Sequence, residues 1–224
     1  TNLTRVQQKF LQPLDLVSGW RGNDATIGLA EVIKNISATI LIGVSSQPGL
    51  FTAPIIKEMA AKVDRPVVFP LSNPYYRAEA VPEDIIHWTD GRALVATGTE
   101  FPPFLLNGRT FKISQCNNFY IFPAIGLAAR ASQAKRVTDR MMVAAAEALG
   151  NFSPRSETSD EQLLPPIGSM KDVAIQIAVA VGLQAHRDGV APALTQQDLS
   201  ERVRQSFWIP RYLDYRRTGK KVSN

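Results

Sequence analysis

Two short apolar runs with a helical stretch between them constrain this chain more than anything else in it. Thr39-Ile40-Leu41-Ile42-Gly43-Val44 is uncharged, rich in β-branched residues and followed by the turn chemistry of Ser45-Ser46-Gln47-Pro48-Gly49. Pro66-Val67-Val68-Phe69-Pro70-Leu71 is a second run of the same kind. Unbroken apolar runs of this length read as strands buried on both faces of a parallel sheet. Between them, Ile55, Ile56, Met59 and Ala60 form one apolar helical face, with Thr52 placed to cap it and Pro54 tolerated in its first turn. Strand, helix, strand with short links is a βαβ unit, whose crossover is almost always right-handed. An α/β fold on a parallel sheet is therefore expected.

The remaining elements extend that unit. Asn2 or Thr4 is placed to cap a short helix that Pro13 ends, and Trp20-Arg21-Gly22-Asn23-Asp24 is loop chemistry. Leu29, Val32, Ile33 and Ile36 make one face of a helix ahead of the first strand. Pro82 starts a helix through Trp88, Ala93-Leu94-Val95-Ala96 is a third strand, and Asn107-Gly108 turns a hairpin between strands near Leu105 and Phe111. From Phe122 onward the chain is helical. Thr138 caps a helix with Met142, Ala145, Ala146 and Leu149 on one face and Gly150 at its end; residues 151–168 are a proline-rich connection. Ser169 and Asp172 open a long helix with Val173, Ile177 and Val181 inward and Gly189 after its end, and Thr195 caps a last one carrying Leu199, Val203 and Phe207. Residues 1–150 read as a sheet domain and 151–224 as a C-terminal helical extension packing on it.

Composition removes several classes. The single cysteine, Cys116, excludes an internal disulfide framework and fits a reducing cytoplasm. No uncharged apolar run approaches the roughly 18 residues a membrane span needs, and no signal segment opens the chain. The net charge of +5 owes much to Arg204, Arg211, Arg216, Arg217, Lys220 and Lys221. Phe207, Trp208, Tyr212 and Tyr215 interleave with them, but a basic tail is the commoner explanation, and neither a nucleic-acid nor a membrane partner is expected. The chain starts in mid-pattern at Thr1-Asn2-Leu3-Thr4 without methionine and reads as a fragment of a longer protein.

In an open parallel sheet, ligands bind beyond the carboxyl ends of the strands. Three loops meet that rule: Val44-Ser45-Ser46, Leu71-Ser72-Asn73-Pro74 and Thr97-Gly98-Thr99. Asn117-Asn118 stands just before an uncharged run. Neutral amides offer donor and acceptor together and can hold a carboxylate or hydroxyl without adding charge, although an Asn-Asn pair more often merely shapes a turn. Other polar residues have plainer readings. Glu83, Asp84 and Asp139 sit in first helical turns, where acids complement the dipole. His87 suits a helix surface and His186 a helix C-terminus. Cys116 has no base beside it in sequence to activate it as a nucleophile.

Several segments together carry a family resemblance across nearly the whole chain. Asn117-Asn118-Phe119-Tyr120-Ile121-Phe122-Pro123-Ala124-Ile125-Gly126-Leu127 resembles the N-N-x-Y/F-I-F-P-G-I-G-L signature of malic enzymes. Ile42-Gly43-Val44-Ser45 with Gly49-Leu50-Phe51-Thr52 is similar to the family's I-G-V-S-G-x-x-G-L-F-T, and Leu71-Ser72-Asn73-Pro74 to its L-S-N-P-T. Trp88-Thr89-Asp90-Gly91-Arg92-Ala93-Leu94-Val95-Ala96-Thr97-Gly98 resembles W-T-D/E-G-x-A-L-x-A-T/S-G, and Asp214-Tyr215-Arg216-Arg217-Thr218 the D-Y-R-R-T of bacterial members. Tyr75, Phe119 and Ala124 depart from the family pattern, at positions that bear on the tightness of the pocket.

The resemblance implies a Rossmann-like parallel sheet flanked by helices, lacking its first βαβ portion and its G-x-G-x-x-G phosphate loop. It implies the NAD- or NADP-binding portion of an enzyme that oxidises and decarboxylates L-malate to pyruvate and CO2. Asn73, Asn117 and Asn118 would hold malate; Val44, Ser45, Leu71, Ser72, Asn73 and Asn117 would line the cofactor. The general base, the proton donor and the carboxylates for Mg2+ or Mn2+ are expected outside this chain, so it should have no turnover by itself and no catalytic or metal-binding residue of its own. A homodimer or homotetramer in the cytoplasm is implied for the full-length protein. The alternatives are malolactic enzyme, which makes lactate from malate, and a non-catalytic Rossmann-like module in which the asparagines only form turns.

Overall fold

The computed structural model describes residues 3–20, 26–154, 162–210 and 212. By contacts the chain forms two compact units. The first comprises Thr1–Asn118 and Gly150–Gly168, the second Phe119–Leu149 and Ser169–Asn224. The sequence places a single boundary at residue 150, whereas the contacts change unit at Phe119 and give residues 119–149 to the same unit as the C-terminal helices.

The first unit carries the sheet. Strands β1 (Ile40–Gly43), β2 (Val67–Pro70), β3 (Leu94–Thr97) and β6 (Ser114–Gln115) lie side by side in the order β1-β2-β3-β6, every pair parallel. The two-residue β6 is not expected from the sequence, because nothing so short has a period. Between β3 and β6, β4 (Phe104–Leu106) and β5 (Arg109–Phe111) form the expected hairpin. Asn107 and Gly108 both take positive φ, at 52° and 77°, as a type I′ turn requires.

A short first helix, α1 (Arg5–Gln8), has the expected Thr4 cap, and the Thr4 amide in turn donates to the Gln7 side-chain oxygen. Helices α2 (Leu29–Asn35), α3 (Ala53–Lys62) and α4 (Pro82–Trp88) bury their apolar faces with the sheet. Leu41, Val68 and Val95 are register partners across three strands, and all three belong to this core with Ile33, Ile56, Met59, Ile85 and Ile86. Two basic side chains hold helix ends, whose last carbonyls have no partner within the helix. Lys62 donates from Nζ to the carbonyls of Ile33 at 2.9 Å and Lys34 at 2.6 Å, closing α2. Arg92 donates to the carbonyls of Asp64 at 2.7 Å and Ala60 at 3.1 Å, closing α3. The expectation that the first strand is buried on both faces fails. Ile40 and Ile42 are each 56% exposed while Leu41 and Gly43 are buried. As β1 is one of the two edge strands among the described residues, its second face lacks the helical cover that an inner parallel strand receives.

The second unit is helical: α5 (Phe122–Ser132), α6 (Asp139–Gly150), α7 (Met170–Arg187) and α8 (Gln196–Ser206). α7 buries Val173, Ile177 and Val181 as its spacing predicts. It packs on α5, whose buried positions Ala124, Ala128 and Ala131 are all small, and on α8, where Gly182 gives room to Leu199. Thr138 caps α6 through a bond from the Met141 amide, but the buried face is Met141 and Ala145, with Met142 49% exposed. The face expected from the sequence lies one residue off, because the run of alanines there makes neighbouring faces nearly equivalent. Thr195 accepts from the Asp198 amide as expected. Ser169 and Thr52 occupy cap positions without a side-chain capping bond. Asp188 gathers the end of α7 and the start of α6, accepting from Thr138 Oγ1, Gln184 and Arg140. The Thr138 hydrogen bond leads in holding its carboxyl below the usual range, against burial.

No helix among the described residues is long and apolar enough to cross a membrane. Arg21–Asp24, Arg211 and the tail with Asp214–Thr218, Lys220 and Lys221 lie outside the described residues, whereas Arg204 lies in α8.

Ile56 has no exposed surface and sits in the core between α3 and the sheet. Ile56→Ala is expected to destabilise the chain by about 2–5 kcal/mol through lost transfer energy and an incompletely collapsed cavity. Urea unfolding checks this, and an unchanged midpoint would contradict the packing described.

Candidate functional site

The parallel ladder continues past the strand ends and brings four loops to one edge. The amide of Leu71 donates to Gly43 O at 2.8 Å, that of Gly98 to Pro70 O at 3.3 Å, and that of Cys116 to Thr97 O at 2.8 Å. Each strand's last carbonyl thus holds the first residue leaving its neighbour. Residues 44–46, 71–74, 97–99 and 116–118 all emerge at the carboxyl edge, where open α/β sheets bind ligands. Gly98 is needed for this closeness. A Cβ there would lie 2.1 Å from the carbonyl oxygen of Leu71, a backbone atom with no freedom to move aside.

The amides chosen from the sequence stand on two of these loops. Asn117 is half-buried, and its Nδ2 donates to Gly98 O at 3.4 Å beside a parallel bond from Gln115 Nε2 at 3.3 Å. Asn73 and Asn118 are exposed at the rim. Val44 is 77% exposed, Leu71 half-buried and Ser72 6% exposed. None of these residues carries a charge.

What sequence reasoning misses is Glu79, which follows the second loop and has no exposed surface. Its Oε1 accepts from the Ser45 amide at 2.7 Å, the Ser45 hydroxyl at 2.8 Å and the Ser72 hydroxyl at 2.5 Å. Oε2 accepts from the Ser72 amide at 3.4 Å. Ser72 Oγ in turn accepts from the Ser46 amide at 2.9 Å. One carboxylate therefore joins the loop after β1 to the loop after β2. Gly43 makes the space: a Cβ there would stand 2.5 Å from the Glu79 Cδ. Burial alone would raise the Glu79 pKa, but the bonds from Ser72 and Ser45 outweigh it and hold the carboxyl below its ordinary range. In sequence, Glu79 stands between two alanines and shows no pattern. The signal present in the chain is the turn residues themselves, serines that need an acceptor.

Ser46 has φ 58°, in the left-handed region that glycine enters freely. The family's I-G-V-S-G pattern has glycine at this position, so the backbone keeps the shape that the glycine would allow, and the Ser46 amide is turned onto Ser72.

The other sequence readings resolve plainly. His87 and His186 are exposed near helix C-termini, and Glu83, Asp84 and Asp139 lie in first turns. Burial pushes the Cys116 thiol up, which disfavours the nucleophilic thiolate. Of the three departures, Tyr75 is 66% exposed, packs edge-to-face on Tyr76 with ring centroids 5.6 Å apart, and lines an open cleft of about 550 Å3 beside Phe51 and Trp88. That cleft includes none of Asn73, Asn117 and Asn118. Phe119 stacks on Tyr120 at 4.5 Å, and Ala124 is fully buried in α5.

A parallel α/β sheet flanked by helices, with loops gathered at its carboxyl edge, defines a Rossmann-like domain. Comparison with known proteins narrows the class. The family model described as "Malic enzyme, NAD binding domain" matches residues 1–186. The NAD-dependent malic enzyme of Sodalis glossinidius is 48% identical over 218 residues, and that of Acinetobacter baylyi 47% over 216. Those alignments cover 97% and 96% of this chain but only 39% and 38% of the relatives. The crystal structure of the Entamoeba histolytica malic enzyme superposes with a TM-score of 0.65 at 28% identity, over 81% of this chain and 34% of that one. The malic enzyme from Pyrococcus horikoshii gives 0.61 at 28%, over 80% and 37%. The chain belongs to the malic enzyme family, in its NAD-binding domain, and spans about 39% of the length of the curated relatives it matches.

The lowered Glu79 pKa has a consequence for stability. Its folded value lies below the unfolded one, so its contribution is fully present above the unfolded pKa of about 4.3 and is lost as pH falls through the folded value. Urea midpoints are expected to fall as pH drops into that acidic window, and Glu79→Gln to flatten that part of the profile. An identical acid slope in both proteins would contradict the assignment.

Proposed function

We propose that this chain forms the nicotinamide side of the active site in an NAD-dependent enzyme that converts L-malate to pyruvate and CO2. The observation that carries the reading is the common edge: the asparagine-bearing loops of two separate family motifs leave the same end of one parallel sheet. Asn73 follows β2, and Asn117 and Asn118 follow β6.

The chemistry of the rim fits the dinucleotide's nicotinamide end. Hydroxyls, amides and backbone groups offer hydrogen bonds, and the nearby carboxylate, Glu79, is sealed beneath the loops and fully engaged. Val44, Ser45, Leu71 and Ser72, with Asn73 and Asn117, are assigned to this end of the cofactor. What NAD supplies when bound is the acceptor for the hydride from malate C2. Asn117 and Asn118 hold the carboxylate and hydroxyl of malate, and Asn73 keeps C2 on the nicotinamide side. Neutral donors suit this role, because each buried hydrogen bond to a charged substrate contributes about 1.5–3 kcal/mol, enough to orient the acid without trapping it. The base, the acid and the Mg2+ or Mn2+ ligands are assigned to other parts of the full-length enzyme. The helices after residue 150 are read as an extension of the cofactor domain, within an oligomer.

Asn117→Ala and Asn118→Ala in the full-length enzyme are each expected to lower kcat/KM for malate about tenfold or more, the loss of one such bond. Steady-state assay of NADH formation checks this, and wild-type kinetics in both variants would sink the reading. This 224-residue chain alone, given malate, NAD and Mn2+, is expected to form no NADH. Measurable turnover would show that base and acid lie within it.

A further inference from the structure

Glu79 is the one charged residue among the described residues with no exposed surface, and the malate reading gives it no contact with substrate or cofactor. A carboxylate without exposed surface is costly to desolvate unless its oxygens are well satisfied. Its side-chain hydrogen bonds to other residues come from Ser45 and Ser72, one on each of two loops at the carboxyl edge. The Ser46 amide joins the same set through Ser72 Oγ. Glu79 is also fixed from its own backbone, whose carbonyl accepts from the Phe51 amide at 3.0 Å where the chain enters α3. Gly43, the last residue of β1, leaves the space that the carboxyl group fills.

We infer that Glu79 is the positioning residue of this site, setting the loop at Val44-Ser45-Ser46 against the loop at Ser72-Asn73 so that cofactor and substrate groups meet in register. It acts through Ser45 and Ser72 and touches neither ligand. This inference rests on the malate reading for its kinetic consequence, but its structural content, one carboxylate coupling two loops, does not. Hydride transfer is sensitive to such placement: a displacement of about 1 Å at a reacting centre can lower the rate roughly a hundredfold. Three donors converge on Oε1, which is more than a neutral amide oxygen accepts comfortably, and an amide nitrogen in place of Oε2 would present a donor to the Ser72 amide.

The test uses the full-length enzyme with Glu79→Gln, Glu79→Ala, Gly43→Ala, the Gly43→Ala/Glu79→Ala double variant and, as a separate arm, Asn73→Ala. Thermal melts establish that each is folded. Steady-state kinetics with malate and NAD, and amide hydrogen exchange without ligands, then report on the site. Folded Glu79→Gln and Gly43→Ala are each expected to lose about tenfold or more in kcat, within the sensitivity to placement just given. Both are expected to exchange faster at residues 44–46 and 71–73 while the core strands stay protected. Gly43→Ala keeps the carboxylate but pushes it aside, so it carries the test if Glu79→Gln does not fold. The double variant should be no worse than Glu79→Ala, because the group that the added methyl would strike is gone. Unchanged exchange at both loops, exchange that rises evenly through the sheet, or a kcat loss no larger than the unfolded fraction would each overturn the inference. The Asn73 arm separates the two ideas. If Asn73→Ala leaves malate kinetics untouched while Glu79→Gln loosens both loops, the malate reading fails and the coupling stands. If Asn73→Ala impairs malate use while Glu79→Gln leaves both loops protected, the coupling fails and the reading stands.

Discussion

Each strand of this sheet passes its last carbonyl to the first amide of the loop beside it. Gly43 holds Leu71, Pro70 holds Gly98 and Thr97 holds Cys116. That stepwise pairing is possible only because all the pairs are parallel, so every strand ends at the same edge. Everything that bears on function follows from it. Loops from distant parts of the sequence are brought level, and their side chains need reach only a short way to share a ligand. The cost falls on the backbone, which must come unusually close at Gly98 and take a left-handed turn at Ser46.

A ladder fixes strands but leaves loop tips free to drift, and loop closure is opposed by the chain's own entropy. Glu79 meets that problem with charge. A buried carboxylate is an expensive way to tie two loops, since replacing it by apolar groups is often neutral or stabilising. Its presence makes sense if it supplies geometry: serine donors from both loops converge on one carboxylate, which ties the position of one loop to that of the other. The same arrangement leaves the rim above it uncharged, so under the proposed function a dicarboxylic acid and a dinucleotide would meet neutral donors.

Much of the fold is legible in the sequence. Helix α4 begins at Pro82 and ends at Trp88, where proline and the apolar run place it. The Asn107-Gly108 turn is readable because few residues tolerate two successive positive φ angles. The strand ends are readable too, and with them the loops at the edge. Three things are not. The exposed face of β1 depends on what covers a sheet, which no local pattern encodes. The orientation of α6 rests on tertiary contacts, because Ala144, Ala145 and Ala146 give its faces little contrast. Glu79 has no signal of its own, since a buried acid looks like a surface acid until its donors are seen converging. The asparagines illustrate the reverse case. Their spacing alone describes a turn, and it is the motif around each that makes them candidates for the proposed site.

At the centre of the proposed function, uncharged amides at one sheet edge grip a small dicarboxylic acid. The most direct measurement is a set of 15N spectra of the asparagine side-chain amides in the full-length enzyme, recorded as malate is added with NAD present but turnover blocked by omitting the divalent metal. The signals of Asn73, Asn117 and Asn118 are expected to shift together and saturate with one apparent constant. Signals that stay still while malate binds, or that shift only at asparagines away from this edge, would contradict the proposal.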